Sequence, residues 1–554
     1  MDLTTEPLVN RLREYVENAK EAKGELETQW AEWTDFYDGD QWGNIPSAAE
    51  SWINEERVTI NLLKQTVDTI IPIALDAIPT WYVRAYDPNA DDIAKSLENY
   101  LQGLLYELKV PQAYELALQD SCVLGTGALK VYPNSHRTRL ASVIGVPEQA
   151  QTVWPWVSYL NPRSIFPDPD SENLEDCEYL CLRNVMPEAM VSRLFGVDPT
   201  TLEAENTADR TGTWLYRLTE HSHSPRRQLW EVYHEFGARL TIFSNRTILW
   251  DGPSPIPEDR YPVVLFQLGE RGSNLWGLGA MFGGGERLQE SANKLATRML
   301  VHARVCAAPK WEVHGPMPEQ FDNSPGGTVN FPGEAGSVKP LVPPEFPSYG
   351  MPMMALLLQL WESWTGVREV LQGRRPVGVT AGVAIQSLQE SATTRLRQLV
   401  RRWSNQFGEV GQQLLSLVTA YTVGDRTSFR EGATGIERAT VKSQEIQDET
   451  GRPRQFRVVV APTNDLPMGQ SQVAQVVMQL APQLGMAALP VIMEALRIPG
   501  RERIMGEVQR IAQNQLQSSY AQQIEAQMQE ALTQQAQGQA FNEEAAIQEG
   551  QAPA

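Results

Sequence analysis

The stretch that decides the fold is Gln372-Gly373-Arg374-Arg375-Pro376-Val377-Gly378-Val379. Its two glycines and its proline disfavour both helix and strand, so it predicts a flexible loop. Apolar residues recur at helical spacing before the loop, over 353–371, and for much longer after it, over 380–421. We therefore predict two helices joined by a loop from which the side chains of Arg374 and Arg375 can reach into an opening.

A third helical pattern lies upstream of this pair, at 286–308, and predicts a helix about 35 Å long at about 1.5 Å per residue. The segment between, 309–352, is dense in Pro and Gly. Two short pieces of it have strand character: 310–313 and 327–331. Gly277-Leu278-Gly279 and Gly283-Gly284-Gly285 precede the first helix, and we interpret them as a flexible lead into it. The order is therefore helix, insert, helix, loop and longer helix.

The chain N-terminal to this region combines helices and strands. Apolar periodicity predicts helices at 7–36, from 62 onward, 91–109, 112–124 and 188–195. Asn61 is a suitable N-cap for the second of these helices, which Pro72 should end or kink. Short β-prone runs between turn residues predict strands at 128–132, 153–160, 229–236, 240–243 and 247–250. This part of the chain therefore has mixed α+β character.

The C-terminal part returns to strands and then to helices. Strand character over 428–462 is followed by helical patterns at 469–484, 487–497 and 500–517. The tail is rich in Gln, yet an apolar residue recurs every four positions: Leu516, Tyr520, Ile524, Met528 and Leu532. So thin a stripe predicts a helix that needs partner helices, with disorder after about Gly538.

The net charge of the chain limits the ways in which it could interact with nucleic acid. It carries 47 Lys+Arg and 68 Asp+Glu, a formal net charge of -21. A protein that coats nucleic acid needs surplus Lys and Arg to neutralise phosphates, so that class is excluded. The excess acid is unevenly placed, because residues 283–410 hold 13 basic and 11 acidic side chains and are close to neutral. An acidic protein that lets a duplex pass without holding it remains compatible with these counts.

A few basic residues are placed where they could meet such a duplex. Arg287, Lys294 and Arg298 fall on one broad side of the helix predicted at 286–308. Arg395 belongs to the long helix predicted after the loop. The alternative for basic residues on a helix is a solvated or salt-bridged face.

The sequence contains no pattern that specifies an enzyme. It has no phosphate-binding G-x-x-x-x-G-K-[ST] loop, no G-x-S-x-G and no H-E-x-x-H. His221 and His223 lack cysteines at zinc-ligand spacing, so a polar hairpin loop is the better interpretation. Asp168, Asp170 and Glu172 could bind a hard cation, although a solvated turn is favoured. We predict no catalytic residue, no metal and no cofactor.

The number of cysteines and the length of the apolar stretches indicate the cellular compartment. Four cysteines in 554 residues do not make a disulfide framework, so a reducing compartment is expected. The N-terminus lacks the features of a signal peptide. The longest apolar stretch, 353–361, is far shorter than the roughly 20 residues that span a bilayer. We predict no membrane association.

The order of these elements resembles that of the portal protein, or head-to-tail connector, of tailed bacteriophages. Four segments carry the resemblance: Phe36–Trp42 followed by Ile60–Leu63, Asp120–Val131, Gly283–Lys294 with its Asn293, and Gly378–Ile385. The resemblance covers about residues 30–515. Each motif alone is unspecific, whereas their order and spacing are specific.

The resemblance implies a predominantly α-helical α+β portal fold that assembles as a ring of about twelve subunits around a DNA channel. The wing would comprise 1–282 and 422–467, the stem helices 283–308 and 350–371, and the clip 309–349. The tunnel loop would be 372–379, the tunnel helix 380–421, the crown 468–515, and a Gln-rich helical barrel or flexible tail 516–554.

The resemblance also implies a function. The chain would be a late phage protein, assembled in the host bacterial cytoplasm and retained in the virion at the capsid vertex. Double-stranded DNA would pass through its ring without sequence specificity during packaging and ejection. Its partners would be the terminase large subunit, then the head-tail adaptor protein, and the major capsid protein or scaffold.

Two sets of residues would line the channel under this interpretation. The tunnel loop would contribute Arg374, Arg375, Pro376 and Val377, and the stem and tunnel helices would contribute Arg287, Lys294, Arg298 and Arg395. Two alternatives stay open. One is a self-assembling structural virion protein without a DNA channel, such as a baseplate or filament component. The other is a metal-assisted hydrolase that uses Asp168, Asp170 and Glu172.

Overall fold

The computed structural model describes residues 5–43, 56–76, 79–134, 154–204, 225–257, 260–269, 275–281, 283–307, 310–315, 318, 320–321, 329–330, 337–341, 345–367, 382–422, 424–432, 435–446 and 454–460. The chain divides into two units: Met1–Arg426 with Val441–Met468, and Thr427–Thr440 with Gly469–Ala554. The predicted helices at 469–517 and the apolar stripe of the tail lie outside the described residues.

The helices are α1 Thr5–Asp38, α2 Leu62–Asp76, α3 Asp91–Glu107, α4 Val110–Leu124, α5 Glu188–Phe195, α6 Gly285–Ala307, α7 Gly350–Thr365, α8 Gly382–Tyr421 and the single turn α9 Ser443–Ile446. Eight of them fall at predicted positions. Between α3 and α4, Lys109 adopts a left-handed conformation with φ 54°, and Pro111 begins the next helix. A proline is tolerated in the first turn because its missing N–H has no partner there.

The strands are β1 Trp81–Ala85, β2 Thr126–Asn134, β3 Trp154–Leu160, β4 Ile165–Pro167, β5 Leu180–Pro187, β6 Arg226–His234, β7 Arg239–Ser244, β8 Thr247–Pro253 and β9 Val263–Gln267. Those that follow are β10 Lys310–His314, β11 Gln320–Phe321, β12 Val329–Asn330, β13 Ser337–Leu341, β14 Arg426–Gly432, β15 Gly435–Val441 and β16 Phe456–Val460. The structure thus confirms the mixed helix and strand composition, and the predicted strands at 128–132 and 229–250 are present.

Two predicted helix ends differ from the structure. Asn61 caps α2 as predicted, because its Oδ1 accepts a bond of 3.0 Å from the Lys64 N–H. The helix continues through Pro72 to Asp76, so of the two predicted effects, an end or a kink, Pro72 does not end the helix. Burial of Ile71 and Ala74 on either side of the proline offsets the one backbone bond that Pro72 cannot donate.

The second difference concerns α7. Its pattern predicts a helix to residue 371, but α7 ends at Thr365. Gly366 adopts φ 77°, and its N–H bonds the Glu362 carbonyl oxygen at 2.9 Å. A left-handed glycine is the usual C-terminal stop of a helix. Residues 368–371 lie outside the described part of the chain.

The sheets are antiparallel. In the first unit, three strands pair in the order β3-β2-β9 and five in the order β4-β5-β6-β7-β8. Strand β1 pairs with β16, from Trp81 opposite Val460 to Ala85 opposite Phe456. Two further pairs, β10 with β13 and β11 with β12, belong to the insert between α6 and α7. In the second unit, β14 pairs with β15.

The C-terminal half of α8 is buried in the main core. Trp403 and Phe407 are fully buried, and Phe407 stacks on Trp81 of β1 with 4.9 Å between ring centroids. The Trp81 indole N–H donates to the Phe407 carbonyl oxygen at 3.1 Å, and the Trp403 indole donates to the Gln267 carbonyl oxygen at 3.1 Å. These bonds satisfy the polar atoms of buried aromatic rings. The long helix is therefore fixed to β1 and β9 of the first unit.

Three glycines hold the segment before α6 against the junction of α4 and β2, and a fourth, Gly127, holds β2 against α4. A Cβ on Gly125 would lie 2.3 Å from the Gly277 carbonyl oxygen, and one on Gly279 would lie 2.5 Å from the Val123 carbonyl oxygen. A Cβ on Gly127 would lie 1.7 Å from the Ala117 carbonyl oxygen. The interpretation of Gly277-Leu278-Gly279 as a flexible lead is wrong, because these backbones are in van der Waals contact.

The close approach of Gly127 to the Ala117 carbonyl oxygen leaves no room for even one added carbon. Gly127→Ala should lower the free energy of unfolding by about 3 kcal/mol or more, since backbone atoms must move to admit the methyl group. The matched control is Gly24→Ala in α1, where a Cβ would have no atom within 4 Å. That change should stabilise the protein by about 0.5–1 kcal/mol. Denaturant unfolding of both variants measures this, and equal stabilities would contradict the contact.

A buried lysine attaches α1 to the sheet region. Lys23 is 3% exposed, and its ammonium donates to the carbonyl oxygens of Pro162 and Ile165, both at 2.8 Å. Glu27 lies 3.3 Å from it. Three aromatic rings also lie 4.3–5.1 Å from the ammonium: Phe166, Trp276 and Trp30. Burial lowers the pKa of Lys23 from 10.5 to about 7, although Glu27 opposes the shift.

This pKa makes stability depend on pH in a known direction. Unfolding restores the ordinary pKa of Lys23, so unfolding takes up a proton between about pH 7 and 10.5, and stability rises with pH in that window. From about pH 7.5 to about pH 9, the free energy of unfolding should rise by about 2 kcal/mol relative to that of Lys23→Met. Urea unfolding of both proteins across this range measures the difference, and parallel curves would contradict the assignment.

Candidate nucleic-acid interface

One side of helix α6 is polar and buried, and it attaches the helix to other segments of the first unit. Gln289, Asn293 and Thr297 are spaced four residues apart, so they lie on one side of the helix. They are 0%, 2% and 7% exposed, respectively. Helices of soluble proteins usually bury apolar residues, and a buried polar side chain is stable only when it is hydrogen-bonded.

The partner of this face is the backbone of residues 56–62, which we call the strap. The Thr297 hydroxyl accepts from the Val58 N–H at 3.1 Å, and Asn293 Oδ1 accepts from the Ile60 N–H at 2.9 Å. Gln289 Oε1 accepts from the Leu62 N–H at 3.0 Å, and its Nε2 donates to the Ile60 carbonyl oxygen. Four helix residues rise about 6 Å and two extended residues span about 6.6–6.8 Å, so the three partners stay in register.

The residues that carry the family resemblance converge on this contact. Asn293 Nδ2 donates to Gln41 Oε1 at 2.5 Å, and Gln41 Nε2 donates to the Phe36 carbonyl oxygen at 2.7 Å. Asn61 Nδ2 donates to the Tyr37 carbonyl oxygen at 2.8 Å. These side chains therefore tie the end of α1, the strap and α6 together, and their role is to position α6.

The opposite side of α6 carries three of the predicted site residues. Arg287 and Arg298 are exposed, and Lys294 is half-buried. Lys294 pairs with Glu290 at 2.6 Å, a partly exposed ion pair of modest energy. The structure thus brings these residues together on one accessible side of α6, whose other side is hydrogen-bonded to the strap. Which surface of an assembly they face remains a prediction.

Helix α7 runs antiparallel to α6. At one end Trp364 of α7 contacts the start of α6, where its indole N–H donates to the Ala280 carbonyl oxygen at 3.1 Å. At the other end Phe346, just before α7, contacts His302 of α6 with 5.3 Å between ring centroids. The buried Trp361 donates to the Thr66 hydroxyl at 3.0 Å and fixes α7 to α2. The two helices form a hairpin that carries the strands of the insert at its end.

Most of α7 is apolar and exposed. Large apolar side chains are accessible along it: Met351 66%, Met353 47%, Leu356 46%, Leu358 36%, Leu360 44% and Trp364 46%. Monomeric soluble proteins rarely expose a continuous apolar surface of this kind, and such surfaces mark sites of association. The composition of 353–361 made this segment visible in the sequence, but only the structure shows that no described residue covers it.

The remaining predicted channel residues cannot be placed. Arg374, Arg375, Pro376 and Val377 lie outside the described residues, and so does the side chain of Arg395, whose backbone belongs to α8. Further along α8, Arg397 and Arg401 are exposed one turn apart, and Arg402 donates to the Leu268 carbonyl oxygen at 3.2 Å. Arg397 and Arg401 are accessible basic residues that sequence reasoning did not select, although their four-residue spacing was visible.

The acidic cluster behaves as a turn. Asp168 Oδ1 accepts from the Asp170 N–H at 3.1 Å, and Asp168 Oδ2 accepts from the Glu178 N–H at 3.2 Å. Within the described ranges no group of three His, Cys, Asp or Glu residues could hold a metal ion. His221 and His223 lie outside those ranges. Among the described helices, none is long and apolar enough to cross a bilayer.

The contact between α6 and the strap can be tested at Asn293. Asn293→Ala removes bonds to Ile60 and Gln41 and leaves their buried polar atoms unpaired, so the free energy of unfolding should fall by about 2–4 kcal/mol. Ser291→Ala, on the exposed side of the same helix, is the matched control and should change it by less than about 0.5 kcal/mol. Hydrogen exchange should show faster exchange of the Ile60 amide only in the first variant. Unchanged protection there would contradict the bonds.

A comparison with known protein families matches nearly the whole chain. The sequence model of the family described as Phage P22-like portal protein matches residues 13–554. The matched span includes the end of α1, the strap, α6, α7 and α8. None of the curated proteins compared with the chain matches it significantly.

Proposed function

The chain belongs to the phage P22-like portal protein family, and we propose that it forms the ring through which double-stranded DNA enters and leaves the capsid. Membership makes it a structural component of the phage virion at the capsid vertex. The finer proposal is a closed ring of about twelve copies with a central channel. The observation that carries it is the exposed apolar surface of α7, which copies of the same chain would bury.

The charge of the ring suits passage of a duplex. About twelve copies of a chain with net charge -21 give an assembly of about -250. A duplex carries one negative charge per about 1.7 Å, so acidic walls repel it and keep it mobile. The nearly neutral span 283–410 contains α6, α7 and most of α8, the segments we assign to the stem and the tunnel. Weak contacts with the sugar-phosphate backbone carry no sequence information, so passage would not depend on sequence.

The narrowest point of the channel is assigned to the loop between α7 and α8. Arg374 and Arg375, with Pro376 and Val377, would line it and make brief contacts with phosphates. At a screening length of about 10 Å such contacts act only near the wall. The helices α6, α7 and α8 support the proposed assignment of stem helices to 283–308 and 350–371 and of a tunnel helix to 380–421. The assignments of wing, clip, crown and barrel remain proposals.

The same ring would dock successive partners. During packaging it would hold the terminase large subunit, which supplies the energy of ATP hydrolysis, and afterwards the head-tail adaptor protein. The insert between α6 and α7 lies at the end of the helical hairpin, where such partners could reach it. The wing would contact the major capsid protein or scaffold. The production of this protein late in infection and its role in genome ejection belong to the same proposal.

Assembly into a ring is the direct test. The purified protein should form closed rings with a central hole in negative-stain images and a mass near 740 kDa, about twelve times the 62.0 kDa of one chain. Filaments, or baseplate-like assemblies without a hole, would support the alternative of a structural virion protein without a channel.

Two neighbouring substitutions test whether α7 drives assembly. Leu360→Glu should reduce the fraction of rings at least tenfold, because a charge would be buried without a partner between copies. Gln359→Glu adds the same charge at the adjacent exposed position, which is already polar, and should leave the ring fraction within twofold. Mass photometry measures both. Equal ring fractions in the two variants would contradict a role for α7 in assembly.

A further inference from the structure

Helix α7 has four distinct faces, set about 90° apart by the helical repeat of 3.6 residues. One face is turned into the chain itself: Gly350, Met354, Leu357 and Trp361. Two flanks adjoin it. The first flank is Met353, Leu356, Leu360 and Trp364, and the second flank is Met351, Ala355, Leu358 and Glu362. The fourth face, opposite the buried one, is Pro352, Gln359 and Ser363.

The two flanks differ from the fourth face in polarity. Both flanks are mostly apolar, and their large aliphatic side chains are 36% to 66% exposed. The fourth face is exposed, narrow and uncharged, with Gln359 and Ser363 as its hydrogen-bonding side chains. A helix with a single apolar stripe needs one partner, whereas this helix has three mostly apolar faces, of which the described part of its own chain covers one.

Two opposite flanks require two partners. A two-fold dimer places the same patch of each copy against its equivalent, so it would cover one flank and leave the other exposed. A head-to-tail contact places the first flank of one copy against the second flank of the next and covers both when the ring closes. The occupant of each flank is therefore another copy of this chain.

The spacing of packed helices then decides which layer of the wall α7 occupies. Packed helices lie about 8–10 Å apart, so about twelve copies spaced by about 10 Å form a circle of about 19 Å radius. With helices about 10–12 Å thick, the free opening is about 27 Å wide. In a second layer about 10 Å further out, the spacing grows to about 15 Å, too wide for direct contact between equivalent helices. Only the inner layer can bury both flanks of one helix.

We propose, on the basis of the ring proposed above, that α7 forms the inner wall of the stem and that Gln359 and Ser363 face the lumen. The duplex would meet uncharged side chains at this level, which offer no ion pair to phosphate and so do not hold it. Helix α6 would lie in the layer behind. This placement competes with the sequence prediction that Arg287, Lys294 and Arg298 line the channel.

Disulfide cross-linking tests the contact between flanks. Cys306→Ser first removes the exposed thiol, since Cys122, Cys177 and Cys181 are buried. In this background Leu356→Cys and Leu358→Cys place thiols on opposite flanks, where they cannot bond within one helix. The double variant should give a ladder of covalent oligomers on oxidation, and each single variant should give none. Dimers from either single variant would show like flanks in contact and would overturn the proposal.

Accessibility to a large reagent tests which face lines the lumen. In assembled rings of the same background, Gln359→Cys should react with a small maleimide but not with a maleimide attached to serum albumin, which is too wide for the opening. Arg298→Cys should react with both. Rapid labelling of Gln359→Cys by the albumin reagent would overturn the placement of α7.

These outcomes separate the two proposals. If the background protein forms rings of the expected mass but the labelling pattern is reversed, the inner-wall assignment fails and the proposed function stands. If no ring forms, the proposed function itself fails. Thermal unfolding of each variant before assembly shows that it is folded, which is expected because all five substituted positions are exposed.

Discussion

The hydrogen bonds between one face of α6 and the backbone of the strap determine where the helical hairpin can lie. Gln289, Asn293 and Thr297 accept hydrogen bonds from every second backbone N–H of the strap. Hydrogen bonds are directional, so a shift of the strap by one residue would break all three. An apolar contact of the same size would tolerate sliding. The glycine contact between 125–127 and 277–279 fixes the chain just before this helix. Together they give the exposed side of the hairpin a defined position.

That rigidity has a functional consequence. A ring wall must keep its shape while a charged polymer moves past it. The outer side of the wall therefore needs firm support from the rest of the chain, and the side that faces the channel must attract the polymer only weakly. The polar contact of α6 and the buried rings of Trp361 and Trp403 supply the support. In the proposed ring, the apolar flanks of α7 would supply adhesion between copies. The net charge, which by itself seemed to argue against nucleic acid, fits a protein that guides a duplex without retaining it.

The sequence predicted the long helices because apolar periodicity over 15 or more residues is a strong signal. It missed β1, β4, β5, β9, β11 and β13, since short strands form through distant partners such as Val460 for Trp81. Residues 289, 293 and 297 were not selected, because a polar stripe on a helix is usually solvated. Asn293 and Gln41 were noticed only through the family resemblance, and Asn61 was also predicted as an N-cap. Their hydrogen bonds explain why those residue types stand there.

The central claim is that α7 is the innermost helix of a closed ring. A cryo-EM reconstruction of the assembled particle that resolves individual helices tests it most directly. We expect α7 nearest the axis, with density for Gln359 pointing into the lumen and neighbouring copies in contact along both flanks. A ring in which α6 lies nearest the axis, with Arg287, Lys294 and Arg298 pointing inward, would contradict it.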